Sequence, residues 1–186
     1  MDKALVSKSK FLSLVLRHQP ALIGLSLDAN GWADLQELVR LANASGHDIT
    51  ADDILVIVRN SEKQRFTLDS SGQKIRANQG HSVEVDLELA PLQPPAVLYH
   101  GTATRFLPSI RQSGLIKGAR HHVHLSQDAD TANAVGARHG PPVVLTILAE
   151  DMWHSGCVFY QSKNGVWLTD HVPAPYIEFP HCPESD

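Results

Sequence analysis

Three prolines, Pro91, Pro94 and Pro95, stand within "VDLELAPLQPPAVL" at residues 85–98. Proline lacks an N–H and clashes with the preceding turn, so neither a helix interior nor a central strand runs through such a stretch. The chain is therefore expected to fold as two lobes with a boundary near 92–95, residues 1–92 and 93–186. A chain of 186 residues suffices for two small domains.

The two segments differ in period. In the first, Phe11, Leu12, Val15 and Leu16 recur at helical spacing and Pro20 stops the run. Asp34 with Glu37 three residues on resembles a capping box, and Leu35, Leu38, Val39 and Ala42 form the apolar stripe of a second helix. Thr50 is placed to cap a third helix carrying Ile54, Ile57 and Val58. "QRFTLDSSGQKIRA" then reads as two strands around a Ser-Ser-Gly turn, with Phe66 and Leu68 facing one way and Arg65 and Thr67 the other. Three helices followed by a hairpin suggest a winged helix. The second segment has short strands: "AVLYHGT" running into a glycine turn, "HVHLS", "PVVLTIL", two strands around Asn164-Gly165, and "YIEF". Two small helices lie among them, one with Pro108 early and Gly114 at its end, one capped by Ser126. Together the lobes make an α+β protein.

Charge limits the partners. Up to residue 90 there are ten Lys+Arg against twelve Asp+Glu, and beyond it six against eight. Neither lobe is the basic body of a protein that coats nucleic acid non-specifically. A nucleic-acid substrate then needs a local cluster of arginines on one or two phosphates. No apolar run approaches the ~20 residues of a membrane span, and "MDKALVSKSK" lacks the core of a signal peptide. Cys157 and Cys182 are too far apart for a zinc knuckle and too few for a disulfide framework. The expected location is the cytoplasm, the expected state a monomer with no membrane partner.

"GARHHVHLS" (118–126) packs one arginine and three histidines into five positions. Taken alone it admits three readings. His122 and His124 point to one face of a strand, which suits a metal, although Arg120 disfavours a cation and no acid lies in the strand. The histidines are otherwise structural, or they contact an anion or cofactor. The order around it is informative. A strand ending His100-Gly101-Thr102, a short helix, Gly114-Leu115, then "HVHLS" and another helix resembles the NAD-binding half of the ADP-ribosyltransferase fold.

"SKFLSLVLRHQP", "GWADLQELV", "KQRFTLD", "IRANQGHSV", "LYHGT", "ARHHVHLS", "VGARHG" and "NGVWLT" extend the likeness over nearly the whole chain. Together they resemble the RNA 2′-phosphotransferase family, the KptA group. The resemblance implies a winged-helix lobe that takes the RNA 2′-phosphate, joined to an ADP-ribosyltransferase-like lobe. It implies removal of a 2′-phosphate from RNA of the tRNA splice-junction type. NAD is consumed in the process and no metal is used. The catalytic residues it implies are Arg17, His18, Arg65 and Arg120; the NAD contacts are His100, Gly101, Thr102, His124, Ser126, Arg138 and Val166. Val166 stands where many ADP-ribosyltransferases carry a glutamate. A phosphomonoester is already anionic, so it attacks without a general base. Two rivals remain. One is a transferase that ADP-ribosylates terminal phosphates of RNA or DNA. The other is a winged-helix regulator that senses NAD.

Overall fold

The computed structural model describes residues 3–61 and 63–180. The chain divides into two compact units, Met1–Glu88 and Leu89–Asp186. The junction falls before the prolines rather than among them. Leu92 already belongs to the second unit, because its N–H donates to the Phe159 carbonyl at 2.9 Å. Cys182 and the end of the chain lie outside the described residues.

In the first unit, helix α1 (Lys3–Arg17) is followed by a 3₁₀ turn (Pro20–Ile23), strand β1 (Ala33–Asp34), helices α2 (Leu35–Ala44) and α3 (Ala51–Asn60), and strands β2 (Phe66–Leu68) and β3 (Lys74–Ala77). The strands pair antiparallel in the order β1-β3-β2, with Ile75 facing Ala33 on one side and Leu68 on the other. Leu12, Val15 and Leu16 of α1 meet Leu38, Ile54, Ile57, Phe66 and Ile75 in a closed core. Each fully buried aliphatic side chain contributes about 1.5–3 kcal/mol.

The caps differ from one helix to the next. Thr50 caps α3 through a complete box: its hydroxyl accepts from Asp53 N–H, and the Asp53 carboxylate accepts from Thr50 N–H. Asp53 also takes Lys8 at 2.6 Å. Asp34 caps α2 by accepting from Glu37 N–H at 2.8 Å, but the expected reciprocal bond is absent there. The Glu37 carboxylate instead grips Arg40, three residues on, at 2.7 and 2.8 Å.

In the second unit, β4 (Val97–Ala103) pairs with β7 (Pro142–Leu148), which pairs with β11 (Ile177–Glu178). A second sheet joins β6 (Val123–Leu125), β9 (Trp167–Thr169) and β8 (Phe159–Gln161). A small pair, β5 (Leu115–Ile116) and β10 (His171–Val172), lies apart. Helices α4 (Leu107–Ser113), α5 (Ala129–Gly136) and α6 (Ala149–His154) complete the unit. The sequence reading missed α6, whose six residues are too short to show a helical stripe. The two larger sheets meet at one bridge, where Tyr99 and Ser126 exchange both backbone bonds at 2.8 Å. Ser126 is thus spent on the bridge, and Asp128 caps α5 by accepting from Thr131 N–H.

Gly101 does not turn the chain. It lies inside β4, opposite Val144 of β7. A Cβ placed on it would stand 1.6 Å from the Ala132 carbonyl oxygen of α5 and 2.9 Å from Gly136 N. Gly136 faces it in turn, 2.6 Å from the Thr102 oxygen by the same measure. Helix and strand cross backbone to backbone, which only glycine permits. The overall architecture is mixed helix and antiparallel sheet, α+β.

Candidate active site

The expected site residues fall into two sets, one in each unit. In the first unit, Arg17 ends α1 and His18 follows it. Helix α1 leaves orphan carbonyls at its C-terminus, and the chain at residues 78–83 wraps that end. Ser82 and Val83 N–H donate to the Arg17 carbonyl at 2.9 and 3.3 Å. The Ser82 hydroxyl bonds His18 Nδ1 at 2.9 Å. Arg17 does not merely complement the negative end of its helix. Its Nη2 donates to the Arg65 carbonyl at 3.4 Å, and its guanidinium lies 5.9 Å from the Phe66 ring centroid. Gly80, at φ +85°, lets the chain pass beside this guanidinium.

Arg65 is aimed by a constrained backbone. Gln64 before it holds φ +37°, a region unfavourable for a residue with a side chain. Asn78 pins that conformation: its Nδ2 donates to the Gln64 carbonyl, and its N–H donates to the Arg65 carbonyl at 2.9 Å. Among the described residues Arg65 has no carboxylate within ion-pair distance. Sequence reasoning assigned no role to Asn78, Gly80 or Ser82. Their signal was the polar run around a glycine directly after a strand in "IRANQGHSV". Nothing local signalled Gln64.

In the second unit, His100 Nδ1 donates to the His124 carbonyl at 3.0 Å. Burial holds the His100 imidazole below its ordinary value of 6.5; that hydrogen bond opposes the shift, and the charges of Arg120 and His139 add to it. The ring is therefore neutral with its proton on Nδ1, leaving Nε2 as an acceptor. His124 thus serves His100 through its backbone, a role no side-chain motif announces. Tyr99 turns its N–H and C=O toward Ser126. By strand alternation Gly101 presents its own N–H and C=O along the same edge, beyond the bridge. An acceptor for a hydroxyl stands next to an adjacent donor and acceptor suited to a primary amide.

The remaining expected residues are less closely gathered. Arg120 lies on an exposed loop, its charge felt at His100. Among the described residues no carboxylate is within ion-pair distance of it. Thr102 is buried. Arg138 is exposed in a 3₁₀ turn (Ala137–His139). Val166 sits in the hairpin between β8 and β9, bonded to Ser162 through both backbone groups. Continuing the β6–β9 register places it across from Ser126. His122 packs edge-on to Tyr160, with centroids 5.5 Å apart, and burial lowers its pKa. Among the described residues no group of three or more His, Cys, Asp or Glu side chains is arranged to hold a metal ion. No described helix is long and apolar enough to cross a membrane.

The first set has the chemistry of an anion site, the second that of a site for hydroxyls and an amide, carried on an α+β frame. The family model described as RNA 2′-phosphotransferase, Tpt1 / KptA family, matches residues 3–171, and the chain belongs to that family. It is 55% identical over 177 residues to a protein of Acaryochloris marina, covering 95% of this chain and 98% of the relative. A Hahella chejuensis protein is 56% identical over 177 residues, covering 95% of each. An Agrobacterium fabrum protein is 56% identical over 169 residues, covering 91% of each. All three carry the name "Probable RNA 2′-phosphotransferase".

Proposed function

We propose that this chain is an NAD-dependent RNA 2′-phosphotransferase, with a winged-helix first lobe and an ADP-ribosyltransferase-like second lobe. The observation that carries the reading is the assembly of Arg17, His18 and Arg65 by residues 78–83. Three cationic or proton-bearing groups on one scaffold suit a phosphate dianion, and guanidinium forks match its oxygens. The acceptor at His100 Nε2 fits a ribose hydroxyl of NAD. The N–H and C=O of Gly101 fit its nicotinamide carboxamide. Ser126, Thr102, Arg138, His124 and Val166 line the same reading of the second unit.

NAD supplies an electrophilic ribose carbon, C1″, bearing a cationic pyridinium that departs as neutral nicotinamide. In the first step an oxygen of the RNA 2′-phosphate bonds to C1″ as the bond to nicotinamide breaks. In the second the ribose 2″-hydroxyl attacks phosphorus, and the RNA 2′-oxygen leaves with a proton. The products are 2′-hydroxyl RNA and ADP-ribose 1″,2″-cyclic phosphate. Arg17 and Arg65 stabilise charge on the phosphoryl oxygens, and Arg120 supplies positive charge near His100. His18, held through Nδ1 by the Ser82 hydroxyl, acts as the imidazolium and gives its Nε2 proton to the leaving oxygen, ending as the neutral ring. No step uses a metal.

Incubation of the protein with a 2′-phosphorylated oligonucleotide, with and without NAD, tests the reading. The expected result is cyclic phosphate and 2′-hydroxyl RNA only when NAD is present, at a rate unchanged by excess EDTA. A stable ADP-ribosylated RNA as sole product, or turnover restored only by a metal, would refute it.

A further inference from the structure

Trp32 takes no part in the chemistry above, yet two independent paths lead to it from the phosphate-binding residues. The first crosses the sheet. Thr67, two residues after Arg65, pairs in register with Arg76 of β3. The Arg76 guanidinium lies 4.5 Å from the centroid of the Trp32 ring, and its Nη1 is held by the Asn30 carbonyl at 3.2 Å. Ala33, Ile75 and Phe66 turn the other way into the core. The second path runs through the wrapping segment. A Cβ on Gly31 would stand 3.4 Å from His81 Nε2, and the next residue, Ser82, bonds His18. With strands about 4.8 Å apart, β1, which Trp32 precedes, stands two strands, or ~10 Å, from β2, which Arg65 precedes.

The turn is built to keep the indole in place. The Asp28 carboxylate accepts from the N–H groups of Asn30 and Trp32 at 3.0 and 2.9 Å, and pairs with Lys74 at 3.6 Å. Trp32 and Arg76 are both half-buried. An indole backed by a fixed cation at the water boundary suits a flat, electron-rich ring, and every nucleobase has such a face.

We propose that the Trp32–Arg76 pair is a stacking platform for an unpaired nucleobase of the RNA substrate, one or two nucleotides from the 2′-phosphate. The inference rests on the RNA 2′-phosphate reading of Arg17, His18 and Arg65. It implies that the substrate is engaged with its junction unstacked.

The test uses the full chain and 2′-phosphorylated oligonucleotides, intact or carrying one abasic residue at each of the two positions on either side. One abasic position should raise the RNA KM of the wild-type protein about 5–100-fold and leave the NAD KM unchanged. Trp32→Ala should raise the RNA KM of the intact oligonucleotide by a similar factor and add nothing on that abasic one, while Trp32→Phe should retain most of the affinity. Equal KM for intact and abasic substrates, or a Trp32→Ala effect that persists undiminished on the abasic one, would overturn the platform. If the wild-type protein turns over no 2′-phosphorylated RNA at all, the functional reading itself fails and the platform with it.

Discussion

Replacing Gly101 with alanine separates two reasons for a glycine beside His100. One is close approach to a ligand, the other close approach of the protein to itself. The added Cβ would meet the Ala132 oxygen at 1.6 Å and the Ala132 carbon at 2.5 Å. Ordinary carbon contacts lie at ~3.5–4.0 Å, so α5 must retreat by about 2 Å or β4 must buckle. Overpacking against movable side chains costs ~1–3 kcal/mol. Here the obstacle is backbone on both sides, which puts the cost at the top of that range, ~3 kcal/mol or more. A unit of this size loses ~4–8 °C in Tm per kcal/mol, so the second unit should melt at least ~12 °C lower. Thermal unfolding of the full chain followed by circular dichroism, with no NAD present, reads this directly. An unchanged Tm combined with lost NAD binding would refute the packing argument and give the glycine to the ligand alone.

NAD affinity should stay level as pH falls through 6.5, the ordinary histidine value, because burial keeps His100 neutral there. It should drop only below the depressed folded value, where Nε2 becomes protonated and no longer accepts; isothermal titration across pH checks both limbs. The neutral ring's contribution to stability has the matching sign, full above 6.5 and declining as pH falls from 6.5 toward the folded value. His18→Ala and Arg65→Ala should slow the second chemical step by about 10²–10³ and the first far less. The ribosylated RNA should then accumulate as a slower-migrating band, and slowing of the first step alone would make these residues substrate binders. Asp53→Ala should cost ~1 kcal/mol by opening the α3 capping box, measured by denaturant unfolding. The Lys8 and Thr50 bonds hold the Asp53 carboxyl below its usual 3.8, so this contribution is present above that pH and lost as pH falls through the folded value.

Local pattern determined much of this protein. The apolar stripes of α1, α2 and α3, the Thr50 cap, the hairpins at 66–77 and 159–169 and the α+β class all follow from spacings of a few residues, where propensity and burial agree. Arg17, His18, Arg65, His100 and His124 became candidates because they stand in ordered motifs. What escaped was decided by pairs distant in the chain. Gly101 resembled a turn because glycine's usual signal is local, whereas its cause is a helix thirty residues on. Ser126 had the chemistry of a cap, but pairing with Tyr99 took its backbone and Asp128 took the cap. The tautomer of His100 depends on a carbonyl at His124, and the aim of Arg65 on an amide at Asn78. Backbone groups are identical at every position, so no sequence motif reports which carbonyl a side chain will find; only the tertiary fold makes that choice.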